Sequence, residues 1–137
     1  MSRPWWPWLR RGLALALGAY LGLMFVRMGW IKFDPNGFWT EAFERWGYPV
    51  WLRIAVGVVE TAGGVALVVP WLATYGGAGL AVVMAGAWAT RLHDGRMVDV
   101  AWITGYFLGV VWIAYEWRDV RIRPRHSVTE VPPPPSA

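Results

Sequence analysis

The chain contains no cysteine, only two histidines and few charged residues, and each shortage removes a class of protein. Without cysteine there are no disulfides, no thiol catalysis, no iron–sulfur ligation and no haem attached through Cys-x-x-Cys-His. The two histidines cannot form a bis-histidine haem site, because His126 lies in a polar tail. No metal-ligand set is recognisable. The sequence therefore predicts no intrinsic cofactor and no bound metal.

Charged residues make up 16% of the 137 positions and hydrophobic residues 56%, whereas soluble domains carry about 25% charged residues. The apolar residues form four runs, each long enough for a helix to cross a bilayer. The predicted spans are residues 12–33, 50–70, 73–92 and 98–117. The second and third are joined so closely that they must be antiparallel neighbours. We predict an all-α integral membrane protein, a four-helix bundle in one domain.

The basic start followed by an apolar run also resembles a signal peptide. However, no small-residue cleavage site follows the run, and Arg27 to Trp30 continue it, so an uncleaved helix is the preferred interpretation. The one sizeable loop, residues 34–49, begins with turn residues and ends at Gly47 and Pro49. Between them, apolar residues recur at helical spacing opposite charged ones, which predicts a short amphipathic helix in the membrane interface. The apolar positions are Phe38, Trp39, Ala42, Phe43 and Trp46, and the charged ones are Glu41, Glu44 and Arg45.

The ends of the chain are basic. A tryptophan-rich lead, residues 1–11, carries three arginines, and a tail, residues 118–137, carries four before a proline-rich end predicted to be disordered. Arginines flanking apolar spans indicate membrane topology rather than nucleic-acid binding. The positive-inside rule places both termini in the cytoplasm.

Glycines recur along every span, and we interpret them as positions where helix backbones approach each other in lipid. A glycine-lined cofactor cleft is the weaker alternative, since no glycine has the strand-turn-helix setting of a phosphate loop. The glycines concerned are Gly18, Gly22, Gly29, Gly57, Gly63, Gly64, Gly76, Gly77, Gly79, Gly86, Gly105 and Gly109.

Glu60 falls near the middle of the second span, where an isolated carboxylate is costly, so it needs a partner or a proton. Arg27 is the predicted partner, whereas Lys32 is expected to reach the interface. Together with Arg91 and His93, which close the third span, these residues form the candidate polar cluster. It is either a site for a polar head group such as a quinone ring, or for proton transfer, or a buried ion pair that fixes helix register.

Polar and turn residues follow one another in a particular order from Arg27 to Pro70. The pattern is Arg27 and Gly29, Lys32-Phe33, Asp34-Pro35, an aromatic stretch, Gly47-Tyr48-Pro49, Glu60-x-x-Gly63-Gly64 and Pro70. In this pattern the chain resembles the DoxX family over residues 12–117. The resemblance implies a small four-helix protein of the prokaryotic cell membrane, related to subunits of quinone-linked oxidoreductases. It carries over Lys32 and Glu60 as recurrent polar positions, and no catalytic residue.

Three functions follow from these observations. The chain is expected to be a non-catalytic accessory or anchoring subunit of a larger membrane complex, with a quinone as the candidate ligand. A structural or assembly subunit without ligand is the alternative, supported by twelve tryptophans that exceed an ordinary aromatic belt. A small oligomeric transporter or proton channel is the least favoured, because no inverted repeat or broken helix is evident. The expected partners are the lipid bilayer and other membrane subunits.

Overall fold

A computed structural model describes residues 4–120, and this part of the chain is helical throughout, with no strand. Its helices are α1 (Trp6–Trp30), α2 (Phe38–Arg45), α3 (Val50–Val68), α4 (Ala73–His93) and α5 (Met97–Glu116). Short 3₁₀ turns, Ile31–Phe33 and Arg118–Val120, follow α1 and α5. The predicted lead is already helical from Trp6, while the predicted disordered tail lies, from residue 121 onward, outside the described residues.

Three segments are long and apolar enough to cross a membrane: Trp6–Phe33, Val50–Val68 and Met97–Glu116. They correspond to the first, second and fourth predicted spans. The third, α4, has 21 residues but is rich in glycine and alanine, which contribute less hydropathy than leucine or valine, and it is not among the three. The described chain is therefore all-helical with three candidate membrane spans.

The four long helices pack side by side in the order α1, α3, α4, α5, and α5 also contacts α1. The most extensive contacts join α1 to α3, followed by α4 to α5 and α3 to α4, and a smaller contact joins α1 to α5. At the centre, Phe25, Leu80, Val110 and Ile113 are fully buried. Most of the other large apolar side chains face outward, as expected for helices that meet lipid rather than water.

Glycine permits the closest of these contacts. A methyl group on Gly22 would lie 2.6 Å from the carbonyl oxygen of Gly64, and one on Gly64 would lie 2.6 Å from the carbonyl oxygen of Gly22. Only residues without a side chain allow α1 and α3 this close. The prediction that every glycine of the spans lies at a helix contact is wrong for Gly86 and Gly105. Both face outward, and a Cβ atom added to either would have no neighbour within 4 Å.

The segment between α1 and α3 closes one end of the molecule, which we call the α2 end. The link between α4 and α5 lies at the same end, because Trp46 and Tyr48 bond to Asp94 and Thr90. Helix α2 buries Ala42 and Phe43 and leaves Glu41, Glu44 and Arg45 exposed, so its predicted amphipathic character is confirmed. Gly47 ends it with a φ of 72°, a conformation that glycine adopts without strain.

Candidate functional site

Lys32 and Glu60 form a buried ion pair between the end of α1 and the middle of α3. The Lys32 Nζ lies 2.6 Å from Glu60 Oε2, and the two side chains are 3% and 5% exposed. Lys32 Nζ also reaches the carbonyl oxygen of Met28 at 3.4 Å. Each charge therefore has its partner inside the protein, which offsets part of the cost of removing both from water.

The prediction that Arg27 pairs with Glu60 is wrong. The inward face of α1 is the one that carries Gly22, Phe25 and Gly29. Lys32 follows Gly29 by three residues and stays on that face, whereas Arg27 precedes it by two residues, about 200° around a helix of 3.6 residues per turn. Arg27 is accordingly exposed. The expectation that Lys32 reaches the interface is wrong for the same reason.

Arg53 is the buried charge that the sequence interpretation missed. Only 5% exposed, it donates through Nη1 to the carbonyl oxygens of Lys32 and of Asp34, the latter at 3.3 Å. It thus satisfies backbone acceptors where the 3₁₀ turn after α1 ends. The signal was present in the sequence, because Arg53, Gly57 and Glu60 follow the i, i+4, i+7 spacing of one helix face.

Helix α2 covers the ion pair and connects it to α4 through aromatic rings. The Trp39 ring centroid is 4.1 Å from Lys32 Nζ, a cation–π contact. Trp39 packs on Phe43 at 6.5 Å and Phe43 on Trp46 at 5.7 Å between ring centroids. Trp46 in turn lies 4.9 Å from the guanidinium of Arg91. Two of the predicted cationic residues, Lys32 and Arg91, therefore contact opposite ends of one aromatic row.

Arg91 and His93 are separated from the ion pair and line the surface at the α2 end. Arg91 bonds to Asp99 at 3.3 Å, and Arg96 bonds to the same carboxylate at 2.8 Å. Trp46 Nε1 donates to Asp94 at 2.7 Å, and the hydroxyls of Tyr48 and Thr90 are 2.8 Å apart. The predicted single cluster is thus divided into a buried pair and a surface network, with Arg27 in neither.

Two neighbouring cavities open beside this network. The first, here the arginine cleft, has a volume of about 290 Å³ and is lined by Phe38, Ala42, Arg45, Trp46, Arg91, Asp94 and Arg96. The second, the side groove, has about 490 Å³ and is lined by Arg45, Trp46, Tyr48, Gly86, Ala89, Thr90, His93 and Asp94. Neither contains Lys32 or Glu60 in its wall.

The chemistry open to these groups differs between the two places. Within residues 4–120 every buried side-chain nitrogen and oxygen has a hydrogen-bond partner, so Lys32, Arg53 and Glu60 leave no buried polar group unsatisfied. The surface network instead includes an accessible guanidinium group, that of Arg96, whose side chain is 55% exposed. The same stretch holds no group of three histidine or acidic side chains arranged to bind a metal.

Comparison with known proteins places the chain in a family. The sequence profile of the DoxX-like family matches residues 16–114, from the middle of α1 to near the end of α5. No curated protein and no solved structure matches the chain significantly. The profile covers the buried pair, α2 and all the helices that pack around them, and the apolar helices agree with a multi-pass membrane protein. The chain belongs to the DoxX-like family.

Proposed function

We propose that this protein is a non-catalytic accessory or anchoring subunit of a larger complex in the prokaryotic cell membrane. One observation carries the proposal: Arg27 is exposed inside the apolar segment Trp6–Phe33 and has no partner among the described residues. Such a charge is costly toward lipid unless it reaches the headgroups or pairs with another group. A carboxylate on a neighbouring subunit would supply that partner.

The surroundings of Arg27 fit a contact with another protein. Tyr20, Leu23, Arg27 and Trp30 follow helical spacing along one exposed stripe of α1. Tyrosine, tryptophan and arginine are the residues that most often dominate binding energy at interfaces. By contrast, Lys32 and Glu60 are occupied by each other, which favours a structural role for them over catalysis.

The proposed topology has four crossings. Helix α4 packs against both α3 and α5 and has a comparable length, which supports a fourth span despite its lower hydropathy. An even number of crossings leaves both arginine-rich ends on the cytoplasmic side and places α2 in the opposite interface. Since the chain has no cysteine, single cysteines at Glu41 and Arg11 can test this with an impermeant maleimide on intact cells. We expect labelling at position 41 alone, and the reverse pattern would overturn the topology.

A quinone at the Lys32–Glu60 pair stays a prediction from the family resemblance. To reach the pair, the ring would have to displace Trp39. Quinone analysis of protein extracted in its native lipid tests this. An equimolar quinone lost in Glu60→Gln would support a redox subunit, and its absence would favour the assembly role without ligand.

The subunit proposal is tested by extracting tagged protein gently from its own membrane and measuring the mass of the intact assembly. We expect a larger complex for the wild type and loss of the partner in Arg27→Leu. Arg11→Leu is the matched control, because it removes an exposed arginine at the other end of the same helix. A wild-type protein that carries only lipid, or a complex that survives Arg27→Leu unchanged, would contradict the proposal.

A further inference from the structure

The wall of the arginine cleft carries more basic than acidic side chains. Arg45, Arg91 and Arg96 line it together with Asp94, and Asp99 bonds to two of these arginines. Asp99 is engaged by Arg91 and Arg96, and Asp94 accepts the indole N–H of Trp46. Arg45 is exposed and forms no ion pair within residues 4–120. The wall of the cleft thus holds three guanidinium groups and one carboxylate, while the exposed Glu41 and Glu44 of α2 lie outside it.

Two of the three guanidinium groups are held in place by contacts within the protein. The Arg91 side chain is only 12% exposed, because it is held between Asp99 and the face of Trp46. Arg96 bonds to the same oxygen, Oδ2, of that carboxylate. Arginine binds phosphate through parallel N–H donors, so groups that are already oriented lose less freedom when the anion arrives.

The side groove continues from this cleft along α4. The two cavities share Arg45, Trp46 and Asp94 in their walls. Gly86 and Ala89 line the side groove with little or no side chain. A Cβ atom added to Gly86 would have no neighbour within 4 Å. The polar cleft at the helix ends therefore opens onto a shallow groove of mixed character, polar at His93 and Asp94 and apolar toward Ala89 and Gly86.

We propose that these two cavities bind one anionic phospholipid. Its phosphate would lie in the arginine cleft against Arg45 and Arg91, and one acyl chain would follow the side groove past Gly86. A free anion would use only the cleft, and a neutral lipid or quinone only the groove, whereas a phospholipid uses both. The inference is independent of the proposed subunit role, since it involves neither Arg27 nor its face of α1.

The test measures lipid bound to purified protein by native mass spectrometry, with phosphatidylglycerol and phosphatidylcholine as matched probes. We expect wild type to retain one phosphatidylglycerol in preference to phosphatidylcholine. Arg45→Gln should weaken phosphatidylglycerol binding about tenfold, the usual effect of losing one charge-assisted hydrogen bond. Gly86→Leu should weaken binding of both lipids, because its side chain fills the side groove.

The controls separate this site from general surface binding. Arg11→Gln removes an exposed arginine near the start of α1, whereas the cleft lies at the α2 end. Gly105→Leu adds the same bulk as Gly86→Leu, at an open position on α5. Both should bind as wild type does. Equal binding of the two lipids, unchanged binding in Arg45→Gln and Gly86→Leu, or displacement of the lipid by inorganic phosphate alone would overturn the proposal.

Discussion

Helices α1 and α5 each carry two glycines four residues apart, yet the two pairs meet different surroundings. In α1, Gly18 and Gly22 lie against the backbone of α3, with the carbonyl oxygen of Gly64 only 2.6 Å from where a methyl on Gly22 would stand. In α5, Gly109 touches the side chain of Leu21, while Gly105 faces open space. The spacing alone therefore does not identify a packing face. Helix α1 differs because its Gly22 lies opposite another glycine, Gly64 of α3.

The same contrast holds for charge. Lys32 and Glu60 are almost wholly buried at the α1–α3 interface, whereas Arg10 and Glu116, joining α1 to α5 at 2.5 Å, have side chains 40% and 10% exposed. One pair is isolated from water and the other is partly hydrated. Because desolvation decides what a broken pair costs, the two should respond very differently to mutation.

The largest effect is expected from breaking the buried pair on one side only. Glu60→Ala leaves the Lys32 ammonium without its partner in an apolar setting, which costs about 3–5 kcal/mol in comparable buried pairs. We expect a corresponding loss in the free energy of unfolding, measured by SDS titration in mixed micelles and followed by tryptophan fluorescence.

The double variant Lys32→Met/Glu60→Leu is the informative control for this change. Replacing both charges by apolar groups of similar size removes the stranded ion, and such replacements are often neutral or stabilising. The double variant should therefore be more stable than Glu60→Ala. If Glu60→Ala were as stable as wild type, the pair would not contribute to holding α1 and α3 together.

A smaller effect should separate the two glycine positions. Gly22→Ala places a methyl against the backbone of α3, and overpacking of this kind typically costs about 1–3 kcal/mol. Gly105→Ala meets no neighbour and should stabilise the helix by about 0.5–1 kcal/mol, the usual gain over glycine. Thermal unfolding of both variants in the same detergent checks the comparison, and equal destabilisation would mean that α5 packs on something through Gly105.

These contrasts show how far the sequence determines the fold. The four apolar runs predict the long helices closely, and the amphipathic stretch predicts α2, because each signal is local and periodic. Hydropathy is less decisive for α4, whose glycines and alanines lower its apolar character while its position between α3 and α5 depends on tertiary packing. Whether a glycine lies at a helix contact also depends on tertiary packing, so the sequence does not reveal that Gly86 and Gly105 face outward.

The sequence draws attention to Lys32 and Glu60, but it does not reveal that they pair with each other or that Arg53 lies buried beside them. Glu60 stands out by its depth, and Lys32 by its place in the family pattern. The depth of Arg27 along α1 favours it as the partner of Glu60, but its direction around the helix does not. The face marked by Gly22 and Gly29 points to Lys32 instead. Arg53 was missed because it lies near the start of α3, where an arginine usually signals only the membrane boundary.

The smallest effect is expected at the partly hydrated Arg10–Glu116 pair. Arg10→Gln removes the contact with Glu116, and ion pairs that keep contact with water contribute on the order of 1 kcal/mol, less than buried ones. Because salt screens hydrated charges but reaches buried ones poorly, the difference from wild type should shrink as ionic strength rises, whereas that of Glu60→Ala should not. Unfolding free energies of both variants at low and high salt make the measurement. If Arg10→Gln lowered the free energy of unfolding as much as Glu60→Ala at every ionic strength, the Arg10–Glu116 pair would be as shielded from water as the pair at the α1–α3 interface.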